Sequence, residues 1–255
     1  MGDVLLVACG GGANSTVTNA EDLWSTPMVI LSRENATVSL GDKDALRKAM
    51  ENYRVVITFS IMGGEVGTST VKDAISCARD VGCKVVSVLG IPMEMEQNRR
   101  EKALNNLSEM VALSDCSLVF DMQKTMEIFM KNYVDRKFDF FFKMIDRVIM
   151  LSINSIVECL EGPFFTTFKE KLYAFASYND VLLDNAVRNA WGMMLYDKNS
   201  EKDGCIIMIS SHISSAEASD VCDRVVREHG MMPQIIRRSD NEDSKVIVFR
   251  ALNLF

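Results

Sequence analysis

Apolar and polar residues follow two rhythms along the chain. Short apolar runs, the mark of strands covered on both faces, fall at residues 4–8, 28–31, 54–61, 84–89 and 117–120. Between them, residues 44–53, 69–81 and 97–113 carry a helical period, with Ala74, Ile75 and Ala78 on one face of the second. Strands alternating with helices predict an α/β fold with a mostly parallel sheet. A longer helical period holds over residues 138–161, interrupted only by the polar Ser152. It predicts a helix of about 36 Å, stopped by Gly162-Pro163 and buried along one side against two bodies of structure. Further helical segments lead to residues 197–204, a polar, turn-rich linker. Strands at 205–209, 234–237 and 245–250 with a helix at 215–229 then predict a small α+β domain.

Composition adds exclusions. The 255 residues include 28 basic and 35 acidic side chains, a formal net charge of −7. That balance argues against nucleic acid as the main partner. No apolar run approaches the roughly 18 residues of a membrane span, so no direct membrane insertion is expected. The start, Met1-Gly2-Asp3-Val4-Leu5-Leu6, has neither the basic region of a signal peptide nor the Ser or Thr of a myristoylation signal. The 7 cysteines are odd in number and lack CxxC spacing, and the histidines are His212 and His229. No metal site is expected, and the cysteines read as reduced core residues of a cytoplasmic protein. The 17 methionines read as core filling, and both histidines as satisfied surface side chains.

Two glycine clusters carry the candidate chemistry. Gly10-Gly11-Gly12-Ala13-Asn14 follows the first strand, and Gly63-Gly64-Glu65-Val66-Gly67-Thr68-Ser69 follows the run at 54–61. Phosphate oxygens need several backbone N–H groups at close range, which glycine and a helix N-terminus supply. Thr68 and Ser69 add hydroxyls. Either cluster alone also reads as a plain strand-to-helix turn, but two at adjacent strand ends point to one ligand. Neither is a Walker A loop, since no Gly-Lys-Ser/Thr follows. The first partly fits a dinucleotide fingerprint, with Ser15 at the third glycine and Glu34 as the ribose acid 22 residues after Gly12. This NAD-type alternative leaves the second cluster without a role.

The stretch Val55-Val56-Ile57-Thr58-Phe59-Ser60-Ile61-Met62-Gly63-Gly64-Glu65-Val66-Gly67-Thr68-Ser69 resembles the strand and GGGTGTG phosphate loop of the tubulin/FtsZ superfamily. Gly10 to Asn14 is similar to its first loop, GGxGxN, and Pro92 to Arg100 to its ribose loop, PFxFEGxxR. The resemblance implies a parallel-sheet, Rossmann-like GTPase domain over residues 1–137, a central connecting helix over 138–161 and a smaller α+β C-terminal domain over 162–255. It assigns phosphate binding to Gly10, Gly11, Gly12, Asn14, Gly63, Gly64, Gly67, Thr68 and Ser69. It assigns ribose and base binding to Glu96, Arg100, Asp121 and Asp146. It implies GTP or GDP, with Mg2+ accompanying GTP, and head-to-tail self-association or pairing with an FtsZ-like partner.

Departures from the pattern modify that expectation. Glu65 and Val66 replace a glycine and a threonine of the phosphate loop, and the loop after the first glycine cluster is short. The guanine-reading asparagine falls on Met122 or, with a one-residue shift, on Asp121; the helix aspartate falls on Arg147, with Asp146 beside it. The family's hydrolytic loop, NxDxxD, is replaced by Gly162-Pro163-Phe164-Phe165-Thr166-Thr167-Phe168-Lys169-Glu170. Its aligned positions keep one carboxylate, Glu170, the candidate catalytic residue acting on a neighbouring subunit. Weak or absent GTP hydrolysis is the expectation, with Phe164, Phe165 and Phe168 as an apolar plug. A nucleotide-free homologue acting as assembly partner or scaffold is the second reading. The chain ends at Phe255 just past a strand, so recruitment to a division site through a disordered tail is not expected.

Overall fold

The computed structural model describes residues 2–24, 26–133, 136–160, 165, 171–196, 203–239 and 243–252. Two compact units divide the chain, Met1–Asn154 and Ser155–Phe255.

In the first unit, strands β1 (Gly2–Cys9), β2 (Met28–Leu31), β3 (Tyr53–Ile61), β4 (Lys84–Ile91) and β5 (Cys116–Asp121) pair in the order β2-β1-β3-β4-β5. Every pairing is parallel. β3 is buried continuously from Val55 to Ile61 and β5 throughout, the consequence of helices on both faces. Inside this layer Thr58 bonds Ser87 at 2.8 Å and Ser87 bonds Ser114 at 2.6 Å, while the buried hydroxyls of Ser60 and Ser117 have no hydrogen-bond partner among the described residues. The unit's helices are α1 (Gly10–Asn19), α2 (Lys43–Met50), α3 (Glu65–Asp80), α4 (Gln97–Leu113) and α5 (Met122–Asn132); α6 (Phe138–Leu160) begins in this unit and continues past its last residue, Asn154.

Two starts differ from the periodicity. α3 begins at Glu65, four residues before the expected start, and Gly10–Gly12 forms the first turn of α1. Glycine's weak helix propensity reads as loop, but here the helices need glycine to approach one another. α5 was not expected; the Asp121 side chain caps it by accepting from Gln123 N and Lys124 N. On α6 the face carrying Phe141, Ile145, Ile149, Ile153 and Ile156 is buried, while Phe138, Phe142 and Leu151 are exposed. Among the described residues, no helix is long and apolar enough to cross a membrane.

The second unit contains β6 (Leu172–Asp180), α7 (Leu183–Gly192), β7 (Gly204–Ile209), α8 (Ser215–His229), β8 (Gln234–Arg237) and β9 (Ser244–Ala251). β9 pairs antiparallel with β6 and with β7, and β7 pairs parallel with β8. β6 corrects the reading of further helix after residue 162. Ala174 and Ala176 favour helix, but pairing with β9 places them in the sheet. α8 has the Ser-x-x-Glu start signal, Ser214 accepting from Glu217 N, and ends at Gly230 with φ 72°. Its Val221 and Val225 pack with Leu183, Ile207 and Val248 in one core. The expected linker at 197–204 lies outside the described residues up to 202. Asp203 is no solvated linker residue: it is buried, and its Oδ2 accepts from Arg250 Nε at 3.1 Å.

All 7 cysteines are free, and all except Cys222 are buried. The methionines are not uniformly core: Met95 and Met232 are exposed.

Candidate functional site

In a parallel sheet ordered β2-β1-β3-β4-β5, the direction of the connections reverses between β1 and β3. The carboxyl ends of those two strands therefore open onto a crevice. Both glycine clusters leave the sheet at these ends. Gly11, Gly12, Asn14 and Ser15 from α1, and residues 64–67 from the start of α3, line one cavity of about 480 Å³. Ser32, Arg33 and Glu34 after β2, with Ile61 and Arg99, complete its wall.

Missing side chains make this geometry possible. A Cβ on Gly10 would stand 2.6 Å from Gly67 Cα, and one on Gly12 would stand 2.9 Å from Ile61 Cβ. Gly10 and Gly63 have φ of 86° and 81°, values L side chains rarely adopt. A Cβ on Gly63 would overlap the Arg99 carbonyl. Gly10 and Gly63 thus shape the turns, while Gly11, Gly12, Gly64 and Gly67 line the cavity.

Helix polarity gives the cavity its preference. Neither α1, starting after Cys9, nor α3, starting after Gly64, has a side-chain N-cap. First-turn N–H groups of both helices remain available to a ligand, and the two dipoles favour negative charge there. Asn14 is buried; its Nδ2 donates to the Glu34 carbonyl at 3.3 Å. Its Oδ1 has no hydrogen-bond partner among the described residues, an incomplete arrangement that a ligand donor would complete. Two arginines and two carboxylates stand around the wall. Arg33 Nη2 lies 3.9 Å from Glu65 Oε2, with side chains 74% and 92% exposed. Glu65 therefore stands at the solvent-exposed rim of the cavity beside Arg33. Arg99 pairs with Glu96.

The remaining expected residues stand apart from this lining. Thr68 is in the α3 helix, and the Ser69 hydroxyl donates back to the Glu65 and Val66 carbonyls at 3.0 and 3.1 Å. Arg100 donates to Asp121 Oδ2 at 2.6 Å and to the Pro92 carbonyl at 2.6 Å. Asp146 Oδ1 accepts from Thr16 Oγ1 at 2.7 Å, and its Oδ2 from Asn19 Nδ2 at 2.8 Å. Arg147 pairs with Asp22 at 2.9 Å. Glu170 lies outside the described residues, as does the rest of the 162–170 loop except Phe165. The sequence assigns no binding role to Ser32, Arg33, Ile61 or Arg99, whereas Ser15 and Glu34 belong to the dinucleotide-fingerprint alternative. Arg99 sits inside the quoted ribose loop, whereas Arg33 has no spacing signal.

Burial pushes the Cys9 thiol well above its ordinary range, which removes it as a nucleophile. Among the described residues, no group of three or more His, Cys, Asp or Glu could hold a metal ion. His212 bonds Ser210 Oγ at 2.7 Å, and His229 stacks on Trp191 with ring centroids 3.8 Å apart.

No family model matches the chain. Cell division protein FtsZ 1 from Pyrococcus furiosus is 30% identical over 119 residues, 46% of this chain and 31% of that protein. Cell division protein FtsZ from Helicobacter pylori is 25% identical over 121 residues, 47% of this chain and 31% of that protein. The match thus takes in about a third of the length of these curated relatives. Among solved structures, an empty FtsZ dimer of M. jannaschii superposes with a TM-score of 0.76 at 16% identity, covering 98% of this chain and 88% of that one. CetZ2 from Haloferax volcanii, solved as a GTPγS-bound protofilament, gives 0.69 at 13% identity, covering 97% and 92%. The fold is FtsZ-like.

Proposed function

We propose that this chain, a divergent member of the tubulin/FtsZ superfamily, is a nucleotide-binding cytoskeletal subunit of the cytoplasm. It holds GTP or GDP with the phosphates against the N-termini of α1 and α3, and it stacks head to tail into protofilaments. The observation that carries the reading is the convergence of two uncapped helix N-termini on one cavity. The volume falls within the ordinary range of small-molecule sites, about 300–1,000 Å³.

The residues fit a polyphosphate through main-chain amides at 11, 12 and 65–67, with Arg33 and Arg99 as nearby cations. Asn14 Oδ1 would accept from a ribose hydroxyl or a base N–H. Mg2+ accompanying the phosphates would offset their charge beside Glu34 and Glu65. Hydrolysis is slow or absent in this reading, because Glu170 is the one carboxylate kept at the aligned positions of the 162–170 loop. Head-to-tail stacking is a heterologous contact, which yields open filaments when its rotation does not close; the protofilament form of CetZ2 supports it.

One observation favours the second reading, a scaffold that binds no nucleotide: the Glu65 carboxylate at the cavity. Nucleotide extracted from the purified protein, together with thermal shifts under GTP, GDP, ATP and NAD, tests both. Bound guanine nucleotide or a shift with GTP is expected. Filaments by light scattering without any nucleotide response would favour the scaffold, and a shift with NAD alone would overturn both.

A further inference from the structure

We propose that the cavity accepts nucleoside triphosphates with little distinction between guanine and adenine. The inference rests on the nucleotide-binding reading and concerns which base the site takes.

Telling the two bases apart takes adjacent acceptors held against guanine's ring N–H and 2-amino group, where adenine offers a ring acceptor, or an unengaged donor held against guanine O6, where adenine carries an amine. Carboxylates supply such paired acceptors. The buried carboxylate nearest this role in the sequence, Asp121, is only 3% exposed and fully engaged. Its Oδ1 accepts from Arg100, Gln123 N and Lys124 N, and its Oδ2 from Arg100 again. Turning it to a base would break an ion pair and uncap α5. Asp146 has one oxygen held by Thr16 and the other by Asn19, so both face α1. Neither aspartate lines the cavity.

The polar side chains that do line it are Asn14, whose buried Oδ1 has no partner among the described residues, Ser15, Ser32, whose hydroxyl is bonded to the Glu34 backbone, the exposed Glu34 and Glu65, and Arg33 and Arg99, paired with Glu65 and Glu96. One amide oxygen accepts equally from guanine's amine, adenine's amine or a ribose hydroxyl. Exposed carboxylates exchange base for water with little gain. The strongly built part of the cavity is the pair of helix N-termini, and the phosphates they suit are common to GTP and ATP.

Titration of the full chain with Mg–GTP, Mg–ATP and Mg–tripolyphosphate tests this. GTP and ATP are expected to bind within about threefold of each other, and tripolyphosphate to displace both. A preference for GTP above about tenfold overturns the proposal and leaves the nucleotide reading standing. No binding of any polyphosphate overturns both. Asp146→Asn should keep the GTP-to-ATP ratio of the parent chain, with tripolyphosphate binding as the check that the cavity is intact. Selective loss of GTP affinity in that variant would also overturn the proposal.

Discussion

Gly10 and Gly67 touch through their backbones: a Cβ on Gly10 would lie 2.6 Å from Gly67 Cα and 2.8 Å from Gly67 N. This contact brings the starts of α1 and α3 together. Gly10→Ala should cost about 2–4 kcal/mol, combining left-handed backbone strain with overpacking. Gly11 lines the same cavity with nothing within 4 Å of its Cβ position. Gly11→Ala should fold at least as stably as the parent but bind tripolyphosphate more weakly. Thermal unfolding beside a binding titration separates the two effects. A Gly10→Ala protein as stable as its parent would show that the helix starts are not in contact.

Glu65 places a negative charge where the helix N-termini favour an anion, and its neighbour Arg33 stands only 3.9 Å away. Glu65→Gln removes the repulsion and releases Arg33 for phosphate. Both side chains are exposed, so water screens the effect. Tripolyphosphate affinity should rise about three- to tenfold, more at low salt than at high salt. Titration at two ionic strengths reads this. Weaker binding in the variant would mean that Glu65 assists the ligand, as a carboxylate beside a bound cation does.

Much of this architecture is legible in the sequence because burial on both faces leaves continuous apolar runs. The strand at Met28–Leu31 and the helices Gln97–Leu113 and Ser215–His229 have the expected bounds. The two glycine clusters are legible as partners, because backbone-only contacts such as Gly10 with Gly67 leave no other residue type. Arg33 is not legible, since its place at the cavity depends on how the segment after β2 folds back; Asn14 bonding the Glu34 carbonyl is part of that closure. The engagement of Asp121 and Asp146 is equally hidden, because their partners Arg100, Thr16 and Asn19 come together only in the fold. Asp203 looks solvated beside its polar neighbours, yet tertiary packing buries it.

Asp203 and Arg250 form the most buried ion pair among the described residues, with side chains 0% and 9% exposed. Asp203 Oδ1 also accepts from Ala251 N at 2.9 Å. Asp203→Ala leaves the guanidinium buried beside an orphaned backbone donor and should destabilise the second unit by about 3–5 kcal/mol. Asp203→Asn, which keeps an acceptor for Ala251 N, should lose less. Denaturant unfolding measures both. A loss under about 1 kcal/mol for the alanine variant would contradict the burial of this pair.

The cysteines report on the α1 start without any nucleotide being assumed. Burial pushes the Cys116 and Cys205 thiols up to about 12 and raises Cys9 and Cys159 further, so near pH 8 almost none of the reactive thiolate is present. Cys222 is only partly buried, and the upward push of burial on its thiol is weaker. A thiol reagent added to the folded protein should therefore modify Cys222 first, faster as pH rises toward 9, and the rest at the rate of local opening. Cys9 immediately precedes α1, so anything held at that helix start should suppress its opening. Tripolyphosphate is expected to slow labelling of Cys9 while leaving Cys205, in the second unit, unchanged, as read by peptide mass spectrometry. Equal slowing at both positions would point to general stabilisation by the anion, and no slowing at Cys9 would remove the phosphate from the N-terminus of α1.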